Sequence, residues 1–485
     1  MNKIPDALMT RPLPSVDTMD IDTSILEPLV ASTTFCRFQL ERRGILDSGS
    51  AIQLGVIVPD LATLPNARCC LPVKTGIHCA VKRAILRIGE KVIAITDDYD
   101  KYATIHRAFK TTEEKSQKEM VTKGTIDVLA PDEGAGGVQS NGQYSFRDVQ
   151  EEDVGGVPMT VPFTQFRLAA TVEETPFFHI KLSDLFPMMK NIQLPLYLID
   201  QPCVIELFFN TQSSASADYG NLAIVDSTTM IAQPPASPSL AAQVAPESLR
   251  FLCDYLSYTD ERMSQTAQMV MSQDGLTIPY EDIVTTNTNF QSGVAPQTLA
   301  VSRDLGVSSM SLRAILGHYG PVTSGDPDTP ASTLQGRYAS TAFKNPETIQ
   351  IRINDKQVYQ RPLKRETQKQ DQIAQVFGTD LSTLNSEFSW DTMVEKATYT
   401  VSNNMMSGSF LGYALDETLQ GSQHYMGVDF SSPGNYGVTV GQKPIQILTD
   451  LTYTDAEDWV GRTVTYFSLV ERSMRLRGGM VEVSS

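Results

Sequence analysis

Residues 177–210 read FFHIKLSDLFPMMKNIQLPLYLIDQPCVIELFFN. Short apolar runs there are separated by Pro187, Pro195 and Pro202. Proline has no amide to contribute to a ladder, so within sheets it is confined to edges, turns and strand ends. The stretch therefore predicts short strands broken by turns, the densest strand region of the chain.

The same pattern extends outward on both sides. Upstream, Cys36, Phe38 and Leu40 alternate with Arg37, Gln39 and Glu41, the period of two of a half-buried strand. Further strands are expected over Ala80–Ile88 and Lys91–Ile95. Downstream, Leu249–Tyr258 reads as a strand, and Thr259 or Asp260 can cap a helix in the residues that follow. Strand character resumes at Ile349, Ile351 and Ile353, and again at Ile445, Ile447 and Leu451. Between these, Glu366–Phe377 lacks Gly and Pro and predicts a helix that covers a sheet end or lies in a long connection.

Two interruptions break the pattern. Residues at about 110–170 are rich in Lys, Glu and Gly, including Gly134, Gly136 and Gly137, and 213–246 are built of Ser, Ala and Pro. No regular pairing is expected in either. Residues 1–30, with Pro5, Pro12, Pro14 and Pro28, read as an extended arm without a core of its own.

Composition narrows the function. The 485 residues are 41% hydrophobic and 20% charged, enough for sizeable cores and against wholesale disorder. No apolar run reaches the length of roughly 18 residues that a membrane span needs. The N-terminus has prolines and acids where a secretory signal would be apolar, and no Asn-x-Ser/Thr acceptor occurs, so secretion is not expected. Six cysteines (Cys36, Cys69, Cys70, Cys79, Cys203, Cys253) are too few and too scattered for a disulfide framework. They read as small apolar residues. With 39 basic and 56 acidic residues the net charge is −17, which repels polyanions at long range, so strong nucleic-acid binding is not expected.

The triplet Asp260-Glu261-Arg262, directly after LCDYLSYT, resembles the double jelly-roll major capsid proteins of large eukaryotic DNA viruses, virophages and polinton-like viruses. In that family such a motif closes the first jelly roll and leads into the second. Residues 177–210 are similar to the family's two core strands bracketing a Leu194-Pro195-Leu196 element. The runs KPIQILTDLTYT and VTYFSLVERSMRLRGGMVEV are similar in pattern to its last two strands. Met263 and Ser264 stand where the giant-virus form has basic or aromatic residues, and with the compact length they favour the virophage or polinton-like type.

The resemblance implies an all-β fold of two tandem eight-stranded jelly rolls with long loop insertions and a few short helices. Its divisions would be an arm over 1–30, a first jelly roll over 31–262 with insertions at about 110–170 and 213–246, and a second over 263–485. It implies a homotrimer, a pseudo-hexagonal tile of an icosahedral virion assembled inside the host cell. Partners would be neighbouring trimers, penton and minor capsid proteins, and a maturation cysteine protease. No enzyme activity, metal or cofactor is implied. Asp260, Glu261 and Arg262 at the domain junction, with Leu194, Pro195 and Leu196 in the first core, are the structural residues expected to matter. Arg262 with one of the two acids would tie the connector to a neighbouring strand.

Several motifs suggest other chemistry. Asp47-Ser48-Gly49 matches the aspartic protease signature, but those enzymes need two carboxylates sharing a proton and no second copy occurs, so a turn is expected. Cys69, Cys70, His78 and Cys79 are potential zinc ligands in an unusual spacing. Gly478-Gly479 resembles the cleavage sites of ubiquitin-type and adenovirus-type proteases and is a candidate for maturation cleavage. A glycine kink before a last strand Met480–Val483 is the plainer reading. Arg361, Lys364, Arg365 and Lys369 form the one local basic cluster, read as charges on a solvated helix. The rival function is a jelly-roll carbohydrate- or receptor-binding module.

Overall fold

The structure, a computed structural model, describes residues 20–58, 67–72, 76–108, 122, 132–133, 139–140, 163–167, 177–190, 192–210, 223–226, 242–258, 260–272, 275–289, 297–307, 311–322, 348–364, 366–377, 425–431, 437–440, 445–453 and 462–484. Most of both interruptions, and residues 1–19 of the arm, lie outside them.

We number the strands of the two sandwiches in chain order. The first set is β1 (Asp20–Leu26), β2 (Phe35–Gln39), β3 (Ala51–Ile57), β4 (Val81–Ile88), β5 (Lys91–Asp97), β6 (Phe177–Lys181), β7 (Cys203–Phe209) and β8 (Arg250–Ser257). The second is β9 (Leu276–Asn289), β10 (Gln297–Asp304), β11 (Ser311–Val322), β12 (Thr348–Ile353), β13 (Lys356–Gln357), β14 (Tyr425–Asp429), β15 (Gln446–Tyr453) and β16 (Arg462–Arg477).

The first set forms two antiparallel sheets in the orders β1-β8-β3-β6 and β2-β7-β4-β5. The second forms β9-β16-β11-β14 and β10-β15-β12-β13. Adding eight to each number of the first set yields the second. First pairs with eighth, second with seventh, third with sixth and fourth with fifth, which is the wrapping that defines a jelly roll. Among the described residues no ladder joins the two sets. The helix Asp260–Met271 stands between them, and Gly275, at φ +64°, turns the chain into β9.

Burial follows the alternation read from sequence. In β2, Cys36 and Phe38 are buried while Arg37 and Gln39 face water, and Phe38 meets Phe251 of β8 across the sandwich with ring centroids 5.8 Å apart. The second sandwich is buried differently. Val464, Tyr466 and Val470 of β16 and Ile315 of β11 fill its interior. Phe467, Leu469 and Leu316, adjacent in sequence but on the opposite face, join the core of the first sandwich. The two sandwiches therefore do not bury independently: one sheet of the second is buried on both faces, and the first core runs across the junction.

Three expectations need correction. Between β6 and β7 the chain makes no strand: Leu182–Leu185 is helical, and Pro187–Lys190 and Leu196–Leu198 are single 3-10 turns, because the prolines there remove ladder amides. The Ser/Ala/Pro-rich interruption does pair, through Ala223–Asp226, a β-branched island that joins Ala67–Pro72 beside Phe163–Arg167 of the other interruption. The arm read over 1–30 becomes, from Asp20 onward, a strand paired along its whole length with β8.

Candidate functional site: the junction of the sandwiches

β5 is an edge strand, and an open edge exposes amides and carbonyls that invite unwanted pairing. Here β9 lies against it and satisfies those groups with side chains. Tyr280 donates its hydroxyl to the Ile93 carbonyl at 2.8 Å, and Thr285 Oγ1 donates to the Asp97 carbonyl at 3.3 Å. Between them the Asp282 carboxylate reaches the Ile95 amide. Residues 93, 95 and 97 are alternate positions, so all three point out of the same edge.

Asp282 is fully buried, 3.0 Å from Arg472 Nη1 of β16. Neither of its oxygens makes a well-aligned hydrogen bond. Burial pushes its pKa up to about 6, outweighing Arg472 and the amides of Ile283 and Ile95, which pull it down. Burial likewise raises the Tyr280 hydroxyl.

Beyond the end of β5 a closed ring of polar groups ties the halves together. Lys101 Nζ lies 3.7 Å from Asp98 Oδ1 and donates to Thr465 Oγ1 at 3.0 Å. Thr465 donates to Asn287 Oδ1 at 2.7 Å, and Asn287 Nδ2 returns to Asp98 Oδ2 at 2.6 Å. Asp98 is held at φ +49°, a conformation most side chains avoid, so its carboxylate is placed by the turn rather than by chance. Tyr102, on the next helix turn, packs edge-on to Phe467 at 5.5 Å.

The far end is latched by the C-terminal hairpin. Gly478 and Gly479, at φ +55° and +78°, form the turn between β16 and the strand Met480–Ser484. The Gly479 carbonyl accepts the Asp200 amide at 2.9 Å, the Gly478 amide donates to Val270 of the connector helix at 3.1 Å, and Lys91 Nζ reaches the Val481 carbonyl at 2.8 Å. Asp200 is itself paired with Arg42. Hydrogen bonds, an ion pair and a ring contact thus tie the two jelly rolls together.

That architecture recurs in solved structures. A chain of the PBCV-1 virus capsid superposes with TM-score 0.56 at 11% identity, covering 99% of each chain. A chain of the Sputnik virophage gives 0.54 at 11% identity, covering 96% of this chain and 88% of that one. The Faustovirus major capsid protein gives 0.53 at 10% identity, over 98% and 92%. The fold is that of the viral double jelly-roll capsid proteins. No family model and no curated protein matches the sequence.

Within this capsid fold the residues singled out from sequence fall in three places. Leu194 and Leu196 are buried in the first core, where Leu194 exchanges backbone hydrogen bonds with Leu46 at 2.8 and 3.2 Å, and buried Pro195 opens the turn that follows. Asp260 and Glu261 are exposed in the first turn of the connector helix, where their charge suits the helix dipole. The Arg262 side chain lies outside the described residues. Gly478 and Gly479 sit at the hairpin latch.

The remaining motifs resolve locally. Asp47 makes a turn: its carboxylate accepts the Gly49 amide at 2.9 Å and Gln193 Nε2 at 3.1 Å. Cys69 and Cys70 lie in the strand Ala67–Pro72 with side chains outside the described residues, while His78 is buried with Nδ1 2.6 Å from the Tyr99 hydroxyl. Among the described residues no group of three or more His, Cys, Asp or Glu is placed to hold a metal. Cys36, Cys203 and Cys253 are buried, and burial raises all three thiols, Cys203 and Cys253 to about 12. The solvated basic cluster is corrected: Arg361 and Lys364 are exposed ahead of the helix, but Lys369 is only 5% exposed on it. Among the described residues no helix is long and apolar enough to cross a membrane.

Sequence reasoning missed the junction residues Asp98, Lys101, Tyr280, Asp282, Asn287 and Thr465. A signal was present in the near-continuous apolar runs of β11 and β16, since a strand buried on both faces loses its alternation.

Proposed function

We propose that the chain is a major capsid protein, a homotrimeric capsomer subunit that tiles the facets of an icosahedral virion. The observation that carries the reading is the same eight-strand connectivity written twice in one chain and hydrogen-bonded together at its junction. Two equivalent walls per chain make six in a trimer, which approximates the hexagonal symmetry of a flat array. The protein acts by shape and has no catalytic role, so Asp47→Asn is expected to leave assembly unchanged. Penton and minor capsid proteins would bind the trimer's rim, and a maturation protease acting at Gly478-Gly479 would have to open the hairpin latch first.

The test is the mass of the full-length chain by light scattering with negative-stain images of the same sample. Trimers of hexagonal outline, forming flat arrays at higher concentration, are expected. A monomer at every micromolar concentration overturns the proposal.

A further inference from the structure

Among the described residues no strand ladder crosses the junction, so the halves meet there through side chains. In the ring beyond β5, four of these side chains bring together the parts of a reaction. Lys101, on the helix Tyr99–Ala108 of the first sandwich, supplies an amine, and Asn287 of β9, in the second, supplies a carboxamide. The two condense to an amide when a base frees the lone pair of the amine, an acid protonates the leaving nitrogen, and a donor steadies the oxyanion formed between those steps.

The Asp98 carboxylate reaches both nitrogens, with Oδ1 3.7 Å from Lys101 Nζ and Oδ2 2.6 Å from Asn287 Nδ2. One group thus faces nucleophile and leaving group together. The Thr465 hydroxyl donates to Asn287 Oδ1 at 2.7 Å, the oxygen on which negative charge would develop. It also accepts from Lys101 Nζ at 3.0 Å, which draws the amine toward the same carboxamide. Thr465 is fully buried and the Lys101 and Asp98 side chains are each 18% exposed, so bulk water competes little for these contacts. Asn287 lies at the exposed rim, which leaves released ammonia a way out. Asp98 holds its carboxylate there from a positive φ, a backbone strain that an ordinary ion pair does not need.

We propose that Lys101 and Asn287 condense, once per chain, into an isopeptide bond that joins the two sandwiches covalently. Asp98 takes a proton from the Lys101 ammonium, the freed amine adds to Asn287 Cγ, and the Thr465 hydroxyl holds the oxyanion. The Nζ–Cγ bond forms and the Cγ–Nδ2 bond breaks. Two protons pass from Nζ to Nδ2 by way of Asp98, so Nδ2 leaves as an ammonium ion and Asp98 ends as it began. Charge is conserved and no outside reagent is consumed. The step is a single turnover on the chain's own residues rather than an enzyme activity. Its product closes a loop from one sandwich to the other, which restricts the unfolded chain as any cross-link does. The inference does not depend on the capsomer reading.

The test is the mass of the denatured full-length chain, with a proteolytic digest of the same sample. Wild type is expected to be lighter than its sequence by one ammonia, with Lys101 and Asn287 recovered in a single branched peptide. Lys101→Arg keeps the charge without a nucleophilic amine, and Asp98→Asn tolerates the positive φ but cannot relay protons. Both are expected at their full sequence mass with the two peptides separate. Should Lys101→Arg fail to fold, Asn287→Ser removes the carboxamide at an exposed position. A wild type of full mass whose digest holds both peptides unjoined overturns the proposal. Ammonia lost without the branched peptide, as by cyclisation of another asparagine, overturns it equally. A branched peptide that persists in Asp98→Asn overturns the relay assigned to Asp98.

Discussion

Asp282 is the residue at which burial, charge and position conflict most directly. Its pKa, raised from the ordinary 3.8 to about 6, means that the folded protein binds this proton more tightly than the unfolded chain does. The associated stability is therefore fully present below the ordinary carboxylate pKa and is lost as pH rises through about 6, on the order of 3 kcal/mol. Urea denaturation is expected to show a chain more stable at pH 5 than at pH 7.5, with Asp282→Asn flattening the difference. Asp97, raised mainly by burial, contributes in the same direction, and half-buried His179, lowered by burial, opposes it. Subtracting the Asp282→Asn profile isolates the junction's share. Gly479 supports a second expectation: at φ +78° and with Asp200 Oδ2 occupying the space of any Cβ, Gly479→Ala should cost about 1–3 kcal/mol, measured as a lower melting temperature. At this scale the sequence disclosed Leu194 and the turn at Asp47, but not Asp282. A lone aspartate in Tyr-Glu-Asp-Ile carries no mark of burial until the strand facing it is known.

Elements were legible where one face meets water. The alternation read through Glu41 belongs to a strand that ends at Gln39, and the helix over Glu366–Phe377 was read with the bounds the structure has, because local period and propensity decide both. β9 escaped notice although it spans fourteen residues, since Thr285, Thr286, Asn287 and Thr288 look like a loop, whereas Thr285 and Asn287 hydrogen-bond across the junction. Close approaches between elements were equally hidden. Gly427 of β14 admits the Glu366–Phe377 helix so nearly that a Cβ there would stand 2.5 Å from Ile373 Cγ1. The sheet buried on both faces yields its own prediction. Phe467→Ala leaves a void between Leu469 and Tyr102 and should cost roughly 3–5 kcal/mol in denaturant titration, well above the effect of truncating an exposed residue on the same sheet.

For the whole molecule the repeat of connectivity was legible only as a resemblance, because strand order is a long-range property that composition and period do not record. Because the first core extends onto one sheet of the second sandwich, calorimetry of the wild type is expected to give one transition whose van't Hoff and calorimetric enthalpies agree over both sandwiches. Phe467→Ala should split it in two. The place of β16 in its sheet has a consequence for biosynthesis. That strand, made after both of its partners, lies between β9 and β11 and pairs with both, along fourteen residues of β9. At about 5–20 residues per second, the segment from β9 onward waits on the order of ten seconds or more on the ribosome without its central partner. Chains that stop short of β16 thus lack the central strand of one sheet of the second sandwich, so translation through that strand is a condition for finishing the fold.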